Sequence, residues 1–231
     1  SEKRLIHLDM SEFGEKQSDS KLIGASPGYV GYEEGGLLTE KVRNNPYSII
    51  LLDELEKAHA EVINLLLQLL EEGKLTDSFG RETDFSNCLI ILTGNVGSQH
   101  FQEKKSVGFN PAPQDEVYSK VKNEAKKFFT AEFLNRLDKL LVFNSFSKSD
   151  IKDIALLQLN SLKDKLASKS IGLSIEKNAI DLIVEKTLEI NAGARPLSRI
   201  IQDEIESLIA IDLVDGSLKK GDFVRVSGKG N

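Results

Sequence analysis

Two acids in succession, Asp53 and Glu54, close the apolar run Ile49–Leu52. A buried strand that ends this way delivers carboxylates to the carboxyl edge of a sheet, where α/β proteins bind ligands. There Asp53 can hold a hydrated Mg²⁺, and Glu54 can orient and deprotonate a water. A plainer reading stays open, in which Asp53 caps the next helix and Glu54 favours its positive end. The run Leu89–Leu92 leads into Thr93-Gly94-Asn95 and puts an amide at the same edge. That amide can hold the attacking water or a terminal phosphate, or it can be an ordinary turn residue. Arg136 ends a helical pattern in Phe133-Leu-Asn-Arg-Leu-Asp138. It is either a surface partner of Asp138, worth about 0–1 kcal/mol, or a group that reaches a phosphate across a subunit boundary. Arg195, in Gly193-Ala-Arg-Pro-Leu197, stands at a helix start. The helix dipole disfavours a cation there, which points to a task such as gripping an anion. In Gly28-Tyr29-Val30-Gly31-Tyr32 two glycines free the backbone, so Tyr29 can project from a loop; a buried hairpin tyrosine is the alternative.

The elements that must position these residues are legible as patterns. Short runs rich in Ile, Val and Leu at 5–8, 49–52, 89–92 and 140–143 predict strands covered on both faces. Helical patterns between them predict an α/β domain with a mainly parallel sheet. A helix over about 58–72 has the stripe Val62, Leu65, Leu66, Leu69 and Leu70, with Gly73 as its terminator. A second helix is predicted over about 117–137, with Lys120, Lys122, Lys126 and Lys127 on a solvated side. An exposed loop is predicted over 102–115. After Phe146 the character changes. Ser147 and Asp150 form a capping-box pattern that opens a helix with Ile151, Ile154, Ala155, Leu162 and Leu166 inward. A short strand at 173–175 and a helix over 178–189 follow. The next helix starts at Pro196, with the stripe Leu197, Ile200, Ile201, Ile205, Leu208 and Ile209, and the chain ends in an edge strand over 222–227. The boundary is placed near 145–149, which gives domains 1–146 and 147–231, the second small and mainly helical.

Composition narrows the function classes. The 231 residues carry Lys+Arg 30 against Asp+Glu 36, a net charge of -6, so the basic footprint of a nucleic-acid binder is missing. One cysteine, Cys88, excludes an internal disulfide framework and suits a reducing compartment. It opens an apolar run and reads as core. His7, His59 and His100 are dispersed and give no zinc spacing. No apolar run approaches the ~20 residues of a spanning helix, and the polar start shows no signal-peptide pattern. The expectation is a soluble, cytoplasmic protein with no membrane or nucleic-acid partner.

Five segments occur in one order: Gly28–Tyr32, Leu51-Leu-Asp-Glu-Leu-Glu-Lys-Ala-His59, Gly73-Lys-Leu-Thr-Asp77, Phe133–Asp138 and Gly193–Leu197. Together they resemble the second ATPase module of the Clp AAA+ unfoldases across essentially the whole chain. The resemblance implies an AAA+ large domain followed by a small helical domain, with ATP and Mg²⁺ as cofactors. Asp53 is then the Walker B aspartate serving Mg²⁺ through water, and Glu54 is the general base. Asn95 resembles sensor 1, although Thr-Gly-Asn stands where Thr-Ser-Asn is more familiar. Arg136 resembles the arginine finger offered to a neighbouring subunit, and Arg195 resembles sensor 2. Tyr29 and Val30 match the loop that lines a homo-hexameric pore and grips unfolded polypeptide. Localisation in the cytoplasm, or in an organelle of bacterial origin, follows from the same likeness.

The family's phosphate loop has no counterpart here, since no Gly-x-x-x-x-Gly-Lys-Ser/Thr occurs in the 231 residues. That loop supplies backbone N–H groups, a lysine and a Mg²⁺-binding hydroxyl. In the family its strand also sits between those matched to 89–92 and 140–143. The reading is therefore of a partial chain that lacks that first strand and is silent as an ATPase alone. Val107-Gly108-Phe109 resembles the tripeptide with which protease-coupled relatives of the ClpC kind dock on a ClpP-type peptidase. Disaggregases of the ClpB type lack it.

Overall fold

The computed structural model describes residues 4–25, 28, 35–96, 114–190 and 192–228; of residues 114–117 it describes the backbone. The chain divides into two compact units, Ser1–Val142 and Phe143–Asn231.

The first unit is built on three parallel strands, β1 (Leu5–Asp9), β2 (Ile49–Asp53) and β5 (Leu89–Leu92), in the order β1-β2-β5. Asp9 pairs with Asp53 in the first ladder and Leu52 with Leu92 in the second, so all three strands end at one edge. Between them run α1 (Asp19–Ile23), α2 (Leu37–Asn44) and α3 (Ala60–Glu72), then the antiparallel pair β3 (Lys74–Thr76) and β4 (Glu82–Asp84). Ile6, Leu8, Ile50 and Leu52 share one core with Leu22 of α1, Leu38 and Val42 of α2, and Val62, Leu66 and Leu69 of α3. Gly73 stops α3 in the left-handed region at φ 67°, donating its N–H to the Leu69 carbonyl.

Several expectations for this unit fail. The strands are not covered on both faces among the described residues. Leu5, Ile49, Leu89 and Ile91 are exposed while their odd-even neighbours in β1 and β2 are buried. The run 140–143 forms no strand; Leu141 and Phe143 are exposed, and no described strand lies beside it to supply a ladder. The helix expected over 117–137 is two helices, α4 (Gln114–Phe128) and α5 (Ala131–Asn135). The Thr130 hydroxyl accepts the Phe133 N–H at 3.2 Å and starts a new helix where one long one was expected. Residues 102–113 of the expected loop lie outside the described residues, and 114–115 are helical.

The second unit is mainly helical. It comprises α6 (Lys148–Ser168), β6 (Gly172–Ile175), α7 (Lys177–Glu189), α8 (Arg195–Ile201), a π-helical turn at Gln202–Glu206, α9 (Ser207–Val214) and β7 (Phe223–Val226). The Ser147–Asp150 capping box is present in full. β6 and β7 pair in parallel, and a Cβ on Gly172 would stand 2.3 Å from the Phe223 ring, so any larger residue there would have to displace that ring. Leu197, Ile201, Ile205 and Ile209 are buried, whereas Leu208 is exposed, contrary to the expected stripe. The π turn widens the helix locally and keeps residues four apart in line, which rotates Leu208 outward.

Candidate functional site

The shared strand edge gathers Asp53, Glu54 and the turn that carries Asn95. The ladder between β2 and β5 continues beyond the strands: Thr93 N–H donates to the Leu52 carbonyl at 2.9 Å, and Leu55 N–H donates to the Thr93 carbonyl at 3.0 Å. Thr93 therefore sits directly over the acids. Its hydroxyl donates to Asp53 Oδ1 and accepts the Glu54 N–H at 3.4 Å. One oxygen of Asp53 is thus fixed within the protein. The other faces His7 Nε2 at 3.8 Å, on a side chain that is 45% exposed. A carboxylate with one anchored oxygen and one accessible oxygen suits a hydrated divalent cation. Sequence reasoning missed Thr93; its signal was a hydroxyl one residue past an apolar run that neighbours the acid-ended one.

Glu54 holds a left-handed backbone, φ 56° and ψ 45°, which is uncommon for a residue with a Cβ. Such conformations cluster at functional sites because the surroundings must enforce them. Here the enforcing contacts are the Thr93 hydroxyl on its N–H and the short 3₁₀ turn Leu55–Lys57 that follows. The Glu54 carboxylate is tied to Lys57 Nζ, and that hydrogen bond and charge hold the Lys57 ammonium above its ordinary range. At the tip of β1, hydrogen bonds from Ser11 hold the Asp9 carboxyl below the usual carboxylate range. Among the described residues, Asp9, Glu54 and Glu56 all place negative charge around Lys57 at this edge, beside Asp53.

Asn95 is exposed and fastened by its backbone, whose N–H donates to Glu56 Oε1 at 3.1 Å. Arg136 is not brought to this edge by any described contact. Its Nη2 pairs with Glu71 Oε1 at 2.7 Å, in the last turn of α3, and not with Asp138 as the surface reading had it. Arg195 lies exposed at the first position of α8, in the second unit, with Pro196 behind it. Gly28 has φ +93° and open space where a Cβ would stand. Tyr29, Val30, Val107, Gly108 and Phe109 lie outside the described residues.

The donor set fits a metal that arrives with its own ligands. Among the described residues no group of three His, Cys, Asp or Glu side chains is placed to hold one. An ion at Asp53 would draw the rest of its shell, as far as the described residues go, from water and from anionic oxygens of a bound molecule, which is the habit of Mg²⁺ in phosphate sites.

The description "AAA domain (Cdc48 subfamily)" matches residues 1–140, more than half the chain, and "C-terminal, D2-small domain, of ClpB protein" matches residues 146–226. The chain belongs to the Clp AAA+ family. Family relatives resemble it along nearly its whole length. It is 47% identical over 229 residues to Chaperone protein ClpB of Oceanobacillus iheyensis, covering 97% of the chain and 28% of that protein. It is 44% identical over 229 residues to the negative regulator of genetic competence ClpC/MecB of Bacillus subtilis, covering 96% of the chain and 28% of the relative. The ATP-dependent Clp protease ATP-binding subunit ClpC of Staphylococcus saprophyticus is 44% identical over 230 residues, 98% of the chain and 28% of the relative. The chain thus spans little more than a quarter of the length of these relatives. Among the described residues no helix is long and apolar enough to cross a membrane.

Proposed function

We propose that this chain is the greater part of an ATP-hydrolysing module in a ring-forming protein unfoldase, with 1–146 as its large domain and 147–231 as its small one. The observation that carries the reading is the β2 tip, where Thr93 anchors one oxygen of Asp53 and Glu54 is held in a left-handed turn beside it. Bound MgATP would supply the scissile phosphoanhydride. Asp53 would meet the hydrated cation through its accessible oxygen. Glu54 would take the proton of the attacking water, and Lys57 marks where its carboxylate rests otherwise. Asn95 would orient that water from the adjoining turn. Arg136 would act on the nucleotide of the neighbouring copy, where charge develops on the phosphoryl oxygens, and Arg195 would grip the protomer's own nucleotide from the small domain. Tyr29 and Val30 would contact the unfolded polypeptide in a hexameric pore.

The experiment is Glu54→Gln in the full-length parent protein, with the equivalent substitution already made in its other ATPase module so that only this module's hydrolysis is read. A positioned base contributes about 10²–10⁴-fold, so hydrolysis should fall by that factor while ATP binding persists. A variant that hydrolyses within twofold of the parent sinks the reading. The 231-residue polypeptide alone, which contains no Gly-x-x-x-x-Gly-Lys-Ser/Thr, is expected to hydrolyse nothing above background.

Within that reading we place the parent among the protease-coupled unfoldases, on the strength of Val107-Gly108-Phe109 between Asn95 and Arg136. Relatives named as Chaperone protein ClpB are equally similar in length of match, which supports a disaggregase as the second reading. Retention on a ClpP-type peptidase, lost in Phe109→Ala, supports the first; no retention of either form supports the second.

A further inference from the structure

Arg136 has its backbone fixed from several sides. Phe133, three residues earlier, is 1% exposed and stacks on Phe129 with ring centroids 5.5 Å apart. Leu137 packs against the same core as Leu66 and Leu69 of α3. The Arg136 N–H caps α5 by donating to the Phe133 carbonyl at 3.1 Å. Only the side chain remains adjustable, and the contact that sets it is Glu71 Oε1, 2.7 Å from Nη2.

Glu71 is an odd residue for its place. It and Glu72 occupy the last turn of α3, where the helix dipole repels an anion, so helix stability does not account for them. The Arg136 cation offsets that misfit. Nη2 of Arg136 meets Glu71, the side chain as a whole remains 49% exposed, and a guanidinium has five N–H donors, enough for a second anion. The opposite end of α3 follows Asp53 and Glu54 after five residues, Leu55 to His59. A helix of 13 residues is about 20 Å long, so one continuous element runs from the turn after the acids to the holder of Arg136.

We propose that Glu71 is a positioning residue that aims Arg136 at an anion held by the adjoining copy, and that α3 ties this aim to the protomer's own Asp53–Glu54 edge. The inference rests on the reading of Arg136 as a group acting across a subunit boundary. Exposed pairs of this kind are individually weak, so losing one costs up to about fivefold in rate rather than the whole reaction. That weakness suits a contact that must yield when the phosphate arrives.

The test uses the full-length assembled protein with its other ATPase module silenced, so that kcat reports this module alone. Glu71→Ala should lower kcat about three- to fivefold, with ADP affinity, ring size and melting temperature unchanged, and Glu71→Asp should regain most of the loss. Glu71→Gln, which keeps the side-chain volume, should fall between them. In an Arg136→Lys background, Glu71→Ala should cost less than it does alone. The proposal is overturned by a kcat within error of the parent, by a rise in kcat, by an equal loss of ADP affinity or assembly, or by an undiminished effect in the Arg136→Lys background. Arg136→Ala tests the underlying reading separately. If that variant hydrolyses normally, Arg136 has no role across the boundary; if it fails while Glu71→Ala is normal, only the positioning role is lost.

Discussion

Glu56 Oε1 accepts the backbone N–H of Asn95 across 39 residues of sequence, so the turn after β2 fastens the turn after β5. The same carboxylate has its other oxygen, Oε2, buried without a partner. A Cβ on Gly94 would come within 2.8 Å of Oε2, the movable end of the side chain. Removing the acceptor in Glu56→Ala leaves the Asn95 N–H unmatched, at a net cost of about 1 kcal/mol. Thermal unfolding should show a melting temperature about 2–4 °C lower. Gly94→Ser should offset the loose end by placing a hydroxyl beside Oε2, and a melt unchanged or raised is the expected outcome.

The left-handed backbone of Glu54 costs about 1 kcal/mol relative to glycine, which adopts that region freely. Glu54→Gly is therefore expected to stabilise the fold by about that amount while removing the proposed base. A calorimetric scan that finds the variant less stable than the parent would show that the Lys57 tie outweighs the strain.

Asp77 is the polar centre of the β3–β4 hairpin, with its side chain fully buried. Arg43 Nη2 and Arg81 Nε each donate to Oδ2 at 2.8 Å, and the Phe79 and Arg81 N–H groups donate to Oδ1 at 3.0 and 2.9 Å. Burial alone would push the carboxyl up; these hydrogen bonds outweigh it and hold the group below the usual range. A depressed folded value stabilises the fold above the unfolded value of about 3.9, and the contribution is lost as pH falls through the folded value. Denaturant titrations should therefore show stability falling below about pH 4 in the parent and a flatter profile in Asp77→Asn. At neutral pH that variant should lose about 2–3 kcal/mol, less than a fully buried pair, because both arginines are partly exposed.

In the second unit, Ser147→Ala removes the acceptor for the Asp150 N–H, 3.1 Å away, and half of the capping box. The loss is expected at about 1 kcal/mol. Hydrogen exchange should rise first in the opening turn of α6, and faster exchange confined to other helices would contradict this account.

Features written within a few residues were readable in advance. The capping box at Ser147, the terminator Gly73 and the acid-ended run at Asp53 each depend on local geometry alone. Reading failed where two local signals compete, and where a second segment decides. Thr130 broke an expected helix because its hydroxyl found the Phe133 N–H, a competition that periodicity does not register. The run 140–143 has strand composition but no described strand beside it, and a strand exists only through its neighbour's hydrogen bonds. Leu208 turned outward because a π turn changed the phase of its helix.

The sequence alone determined which chemical groups are available and in what order: two acids at a strand tip, an amide after the next strand, and arginines at two helix ends. Tertiary structure alone decided their partners. It set Thr93 over Asp53, Glu56 under Asn95, and Glu71 against Arg136. These pairs lie 40, 39 and 65 residues apart along the chain. Local propensity acts over a turn or two, whereas such contacts arise only when the sheet register and the packing of α3 bring distant backbone together.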